Sequence, residues 1–91
     1  MPSLRFSRDA QEAIAALSLR LQDAVLNTIL LIQADPWSRG RRLRGLMEGL
    51  WVVRVGSYRV LYTIEGREEA ATVVIRDVLH RSIAYRRRRR P

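Results

Sequence analysis

The sequence of 91 residues has no cysteine and a single histidine, which excludes disulfides and thiolate chemistry and leaves few ligands for a metal site. Its 17 basic residues, all arginine, outnumber 9 acidic ones and give a formal net charge of +8. Because guanidinium groups bind phosphate oxygens in pairs, this charge favours a nucleic-acid partner, with an anionic membrane surface as the alternative.

The length predicts one domain, and no apolar run reaches the roughly 18 residues of a membrane helix. We expect this domain to span residues 1–85 and a basic tail, which holds five consecutive arginines, to span residues 86–91. The first residues include no apolar signal region, which favours a cytoplasmic protein that is not exported. We expect neither a metal ion nor another cofactor.

The N-terminal part of the sequence predicts a short strand followed by two helices. Ser3–Phe6 alternates polar and apolar side chains, as a strand does. Ser7 and Ser18 are predicted to cap the two helices, and Asp35-Pro36 ends the second, because the residue before a proline avoids the helical region. The side chains expected to be buried recur at helical spacing: Ala10, Ala13, Ile14 and Leu17, then Leu21, Ala24, Val25, Thr28, Ile29 and Ile32.

The C-terminal part predicts three strands after a basic loop. Residues 37–48 show no regular period, and we interpret them as a loop rich in arginine and glycine. Strands are predicted at 50–55, at Tyr58–Glu65 and at about 71–79, with tight turns between them. The order of elements predicts an α+β fold in which an N-terminal strand and a helical hairpin pack on a small antiparallel sheet.

The turns between these strands decide which side chains share a face of the sheet. A two-residue turn at Gly56-Ser57 places Arg54 opposite Arg59, and a four-residue loop at 66–69 places Arg59 opposite Arg76. The face turned away from the helices is then predicted to carry basic side chains, namely Arg54, Arg59, Arg76 and His80, together with Val78. The other face is predicted to be the core: Trp51, Val53, Val55, Tyr58, Val60, Tyr62, Ile64, Ala71, Val73, Ile75 and Leu79.

Two like charges directly opposite each other destabilise a sheet. Arg54 and Arg59 are therefore costly for folding, and their position near the only histidine indicates a site for a phosphate group. The alternative is that these arginines extend into solvent or pair with an acidic side chain such as Glu48 or Glu65.

Two segments carry a resemblance to a known family. They are Leu43-Arg44-Gly45 with residues 49–62, GLWVVRVGSYRVLY, and residues 78–85, VLHRSIAY. Together with the two preceding helices they resemble the RelE/ParE superfamily of toxins from type II toxin–antitoxin systems, over nearly the whole chain. The resemblance implies a RelE-like fold and a complex with a cognate antitoxin. The RelE branch cleaves messenger RNA, usually in the ribosomal A site and without a metal ion, whereas the ParE branch poisons DNA gyrase.

The resemblance also implies roles for single residues. Arg59 matches the main phosphate-binding arginine, Arg54 a basic strand residue and Arg81 a second catalytic arginine. Tyr85 matches the tyrosine that stacks on or orients the cleaved nucleotide, and His80 matches a position that is often basic or histidine. These five residues form the expected catalytic set.

Metal-free RNA cleavage needs a base, an acid and cations, because the ribose 2′-OH attacks the adjacent phosphate. Arginine supplies the cation but is a poor base, since it stays protonated. His80 is therefore the predicted general acid or base, and Glu48 is a second candidate base. Further RNA contacts are expected from four arginines outside the catalytic set: Arg41, Arg42, Arg44 and Arg76.

One position departs from the family pattern. The basic strand of these toxins commonly carries two cations two residues apart, and Val52 occupies the first of these positions. We hypothesise that a loop arginine, Arg41 or Arg44, supplies the missing charge. Three functions remain open from sequence: an endoribonuclease, a gyrase inhibitor without catalytic activity, and an RNA-binding module.

Overall fold

The computed structural model describes residues 1–45 and 49–82, in which three helices and five strands are present. In chain order these are β1 Ser3–Phe6, α1 Arg8–Ala15, α2 Leu19–Ala34, α3 Pro36–Arg39, β2 Arg41–Arg42, β3 Trp51–Val55, β4 Tyr58–Glu65 and β5 Thr72–His80, with a short 3-10 helix at Glu68–Ala70. Within the described part of the chain, none of the helices has the length and apolar character needed to cross a bilayer.

Serine caps position the helical hairpin, as the sequence predicts. The Ser7 side chain accepts a hydrogen bond from the Ala10 amide at 3.1 Å, and Ser18 accepts one from the Leu21 amide at 3.3 Å. Each bond satisfies an amide at the start of a helix that has no partner within the helix. The predicted stripe of α2 is confirmed at its centre, because Val25 is fully buried there.

The sheet has the strand order β1-β5-β4-β3-β2. The last four strands pair antiparallel, and β1 adds to β5 in parallel, with Ser3 opposite Thr72. A parallel pair needs a long crossover, and α1 and α2 lie in that crossover. The predicted α+β fold is confirmed, and the N-terminal strand belongs to the sheet itself.

Both faces of the sheet bury apolar side chains, but to different extents. The main core lies under the helices: Ala10, Val25, Ile29, Ile32, Val60, Tyr62, Val73, Ile75 and Val78. On the other face a small cluster of Val52, Leu61 and Leu79 is packed against Leu43 and Leu50. Part of the face that carries Arg54 and Arg59 is therefore apolar.

The first hairpin has the predicted register. Val55 pairs with Tyr58 and Arg54 pairs with Arg59. Gly56 adopts a φ of 59° in the turn, a conformation that glycine adopts without the strain of a Cβ atom.

The second hairpin differs from the prediction. Arg59 lies opposite Leu79 and not opposite Arg76, because the loop extends over residues 66–71 and the register shifts between Leu61 and Tyr62. Arg76 is the extra residue of this β-bulge.

The bulge is held by hydrogen bonds. The Ser7 hydroxyl donates to the Arg76 carbonyl at 2.7 Å, and the Arg76 side chain donates to Thr63 at 3.0 Å and to Glu65 at 3.2 Å. The first bond satisfies a backbone carbonyl that the interrupted ladder leaves without a strand partner. The other two satisfy donors of the Arg76 guanidinium.

After the bulge, each residue of β5 lies on the side of the sheet opposite to the one predicted. Val78 enters the main core and Leu79 joins the cluster on the other face, so both predicted positions are wrong. His80 pairs with Tyr58 and shares the helix side of the sheet with it, whereas the prediction placed it beside the arginines. The physical reason is the single extra residue, since side chains alternate between faces along a strand.

Residues 37–45 are more regular than the predicted loop. Trp37 and Arg39 belong to α3, and Arg41 and Arg42 form the edge strand β2. Arg41 pairs with Val52, and Arg42 pairs with Trp51. A two-residue strand has too few positions for an alternating pattern to be recognised in the sequence.

Candidate nucleic-acid interface

A cavity of about 510 Å³ lies where the start of β2 meets the first hairpin. Its lining consists of Ser38, Arg39, Gly40, Arg41, Val52, Val53, Arg54 and Arg59. Four of these residues are arginines and none is acidic. We call this space the arginine cavity. Its charge suits a phosphate group, since an arginine donates two hydrogen bonds to phosphate oxygens.

Backbone pairings place the arginines around this cavity. The hairpin turn sets Arg54 opposite Arg59, and the edge strand sets Arg41 opposite Val52. Val52, where the family pattern has a cation that this chain lacks, therefore has Arg41 directly opposite on the neighbouring strand. Of the two loop arginines considered from sequence, Arg41 lines the arginine cavity and Arg44 does not.

Arg81 lies close to the same cavity through its backbone. The Arg59 guanidinium donates to the Arg81 carbonyl at 3.3 Å, and the Arg81 amide donates to the Ser57 carbonyl at 2.7 Å. Together with the pairing of Arg54 and Arg59, these bonds place the Arg81 backbone beside two other residues of the predicted catalytic set.

Tyr62 supports the segment that carries Arg39 and Arg41. Its buried hydroxyl donates to the Pro36 carbonyl at 2.7 Å. Gly40 packs so closely on this hydroxyl that a Cβ atom there would collide with it. Burial raises the pKa of Tyr62 to about 12, although the Gly40 backbone and Arg39 act in the opposite direction. The hydroxyl therefore remains a donor at neutral pH.

Arg76 does not belong to the arginine cavity. Its guanidinium bonds Thr63 and forms an ion pair with Glu65 at 3.2 Å. The alternative considered from sequence, pairing with an acidic side chain, therefore describes Arg76 correctly. A guanidinium that already has a carboxylate partner has fewer donors left for a phosphate.

His80 lies in a different environment from the arginines. Its ring meets the Tyr58 ring edge-on at a centroid distance of 5.2 Å, and Nδ1 lies 2.9 Å from the Ser82 hydroxyl. It lines a cavity of about 420 Å³ together with Asp9 and Glu12 of α1. The structure therefore separates His80 from the arginine cavity. Tyr85 and Glu48 lie outside the described residues.

A second cavity, of about 680 Å³, adjoins the arginine cavity, and Gly40 and Arg41 line both. Its other lining residues are Trp37, Arg42, Leu43, Arg44, Gly45 and Trp51. We call it the tryptophan cavity. The Arg42 guanidinium lies 5.7 Å from the centre of the Trp51 ring, within the range of a cation–π contact. The structure thus brings together Arg41, Arg42 and Arg44, which were predicted to contact RNA.

Sequence reasoning missed two contributors to these cavities. Arg39 and Trp37 were included only in the predicted loop over residues 37–48. Both residues lie in α3, whose four residues are too few to show a recognisable helical period in the sequence. Within residues 1–45 and 49–82, no group of three or more histidine, aspartate or glutamate side chains could hold a metal ion.

Comparison with known proteins gives a consistent result. The family model described as the ParE toxin of type II toxin-antitoxin system, parDE, matches residues 3–85. The toxin RelG of Mycobacterium tuberculosis is 35% identical over 86 residues, which cover 93% of this chain and 97% of that protein.

Solved structures agree with this result. A chain of the toxin–antitoxin complex RelBE2 from Mycobacterium tuberculosis is 34% identical, with a TM-score of 0.77 over 89% of this chain and 100% of that chain. The isolated E. coli RelE toxin has a TM-score of 0.73 at 19% identity, over 96% of this chain and 98% of that chain. At that identity the likeness concerns the fold alone.

Proposed function

The chain belongs to the ParE toxin family and is the toxin of a type II toxin–antitoxin system, and we propose that it acts as a metal-independent endoribonuclease on messenger RNA. Its partner is a cognate antitoxin, as in the RelBE2 complex that it resembles. The proposed target is messenger RNA on the ribosome, presented in the A site, so that cleavage inhibits translation.

The arginine cavity is the observation that carries this proposal. Arg41, Arg54 and Arg59 surround a space that no acidic residue of the described ranges, 1–45 and 49–82, lines. The opposed pair Arg54 and Arg59 costs folding some tenths of a kcal/mol. A bound phosphate offsets that repulsion, because its oxygens accept hydrogen bonds from both guanidiniums.

The proposed reaction proceeds by attack of a ribose 2′-oxygen on the adjacent phosphorus. The new P–O2′ bond forms as the P–O5′ bond breaks, which leaves a 2′,3′-cyclic phosphate and a 5′-hydroxyl. The 2′-OH proton passes to a base, and an acid supplies a proton to the departing 5′-oxygen. Arg54 and Arg59 stabilise the charge that develops on the phosphate oxygens. His80, the general acid or base expected from sequence, lies on the helix side of the sheet and does not line the arginine cavity, so we assign the proton transfers to no described residue.

Substitution of the opposed pair tests the proposal. We expect Arg59→Gln and Arg54→Gln each to reduce messenger RNA cleavage in a translating extract by about a hundredfold or more, as loss of one transition-state donor does. Arg20→Gln is the matched control, because Arg20 is exposed on α2 and does not line the cavity. Cleavage that survives both cavity substitutions, in proteins with unchanged melting temperature, would show that the site lies elsewhere.

The same variants separate cleavage from the rival function. A toxin that inhibits gyrase by binding has no phosphate transition state to stabilise. If purified gyrase is inhibited equally by the wild type and by Arg59→Gln, while no RNA product is found with either, the chain is a gyrase-directed toxin. If RNA is bound tightly but never cleaved, it is an RNA-binding module.

A further inference from the structure

The tryptophan cavity presents an exposed aromatic side chain to a basic surface. Trp37 is 42% exposed, and among the described residues it is the one aromatic side chain on the exposed surface. Exposure of a large aromatic ring gives up part of the free energy that its burial would contribute to folding. Its position therefore suggests a contact with a ligand.

The second tryptophan in the cavity, Trp51, packs against other side chains of this chain and is not exposed for stacking on a ligand. Trp51 stacks on Tyr62 with a centroid distance of 6.1 Å and an interplanar angle of 20°, and Arg42 lies against its ring. Trp51 is thus a half-buried part of the packing beneath Arg42, and Trp37 is left as the platform of this cavity.

The charge of the lining suggests what Trp37 contacts. Arg41 and Arg44 line the cavity with Trp37, and none of the lining residues that the structure describes is acidic. Aromatic platforms beside arginines are typical of sites for single-stranded nucleic acid, because every base offers a flat face for stacking and every nucleotide carries a phosphate. A cavity of about 680 Å³ falls in the range of small-ligand sites, which is roughly 300–1,000 Å³.

The shared lining places this cavity next to the proposed cleavage site. Gly40 and Arg41 border both cavities, so an RNA strand with one phosphate in the arginine cavity would have a neighbouring nucleotide at the tryptophan cavity. We propose that the tryptophan cavity binds one unpaired nucleobase of single-stranded RNA beside the cleaved phosphate, with Trp37 as the stacking platform and Arg44 as a phosphate contact. This inference rests on the proposed function, because it takes the RNA at the arginine cavity as given.

Binding of a non-cleavable oligonucleotide tests this subsite without requiring catalysis. The probe is a fluorescent 2′-O-methyl RNA, and its Kd is measured by anisotropy. We expect Trp37→Ala to weaken binding roughly fivefold to 150-fold, because stacking contributes about 1–3 kcal/mol per base. Trp37→Phe retains an aromatic face and should lie within about threefold of wild type. Leu30→Ala, on the exposed surface of α2, is the control for loss of apolar area.

A set of oligonucleotides that each lack one base locates the contact. One abasic position should weaken binding by the wild type and have no effect on Trp37→Ala, since the platform and the base act as a pair. Duplex RNA should bind both proteins equally, because its bases are already stacked.

Three outcomes would overturn the inference. The first is equal Kd values of wild type and Trp37→Ala for the single strand. The second is a loss of duplex affinity in Trp37→Ala as large as its loss of single-strand affinity. The third is a loss of antitoxin affinity with RNA affinity unchanged. The last would assign the cavity to the antitoxin. None of these outcomes bears on cleavage, which Arg59→Gln tests separately, so failure of the subsite is distinguishable from failure of the proposed function.

Discussion

Tyr62 is the residue that connects the core to the arginine cavity. Replacement by phenylalanine keeps the packed ring but removes the bond to the Pro36 carbonyl, which then lacks its partner. We expect Tyr62→Phe to lower the free energy of unfolding by about 1–3 kcal/mol, the cost of an unsatisfied buried polar group. Urea unfolding at neutral pH measures this change. Tyr58→Phe, on the same face but half-buried, is the control, and an equal loss in both variants would contradict the anchoring role.

The same hydroxyl makes stability depend on alkaline pH. Burial raises the pKa of Tyr62 from 10.0 to about 12, so the unfolded chain loses this proton at a lower pH than the folded protein. The contribution of the neutral hydroxyl is complete below pH 10 and is lost as the pH rises through 12, by roughly 2–3 kcal/mol in all. Urea midpoints measured between pH 9 and pH 12 should fall more steeply for wild type than for Tyr62→Phe. Parallel curves would refute the coupling, since the two proteins differ only in this hydroxyl.

Substitution can distinguish the proposed roles of Arg41 and Arg44. Arg41 lies opposite Val52 and borders both cavities, whereas Arg44 borders only the tryptophan cavity. We expect Arg41→Gln to reduce kcat at least tenfold, because it removes a cation from the reacting phosphate. Arg44→Gln should weaken RNA binding and leave kcat within about threefold, as removal of a uniform binding interaction does. The reverse pattern in single-turnover kinetics would assign the compensating charge to Arg44.

At the scale of secondary structure, the two serine caps are chemically alike but differ in the bonds they make. Ser18 makes one bond at the start of α2, while Ser7 also donates to the bulge carbonyl of Arg76. Loss of a cap costs about 1 kcal/mol, and an unsatisfied bulge carbonyl adds about 1–3 kcal/mol. We therefore expect Ser7→Ala to destabilise the protein more than Ser18→Ala in thermal or urea unfolding. Equal effects would mean that the bulge does not depend on this bond.

The bulge also shows which parts of the structure the sequence could predict. The caps, the first hairpin and the opposed Arg54 and Arg59 depend on residues close in sequence, and local patterns predicted them. The bulge depends on a bond between Ser7 and Arg76, which are 69 positions apart. One local sign does exist, because two adjacent charged residues, Arg76-Asp77, interrupt the apolar alternation of β5. The prediction did not use this sign and therefore placed His80 beside the arginines.

The molecule as a whole divides its charge between two sides of the sheet. The arginine and tryptophan cavities meet at the edge strand β2, and among the described residues neither has an acidic side chain in its lining. The cavity at His80 is bordered by Asp9 and Glu12 of α1, on the side where that helix packs. A polyanion is therefore attracted to the edge of β2 and repelled from α1. For the proposed RNA substrate, this polarity would orient a single strand across the two basic cavities before any specific contact forms.

We expect the basic tail to act on the same scale, through charge alone. Residues 86–91 contain five of the 17 arginines, and their removal should leave the thermal midpoint and the cleavage position unchanged, since the domain is predicted to end at residue 85. RNA affinity should fall, and the slope of log K against log salt should become shallower by roughly 0.7 for each single-strand phosphate that the tail neutralises in the full chain. Titrations of the full chain and of residues 1–85 at several salt concentrations measure this change, with Arg20→Gln as a control for a single exposed charge. A lower melting temperature or a shifted cleavage position in the shortened chain would show that the tail belongs to the folded domain or to its site.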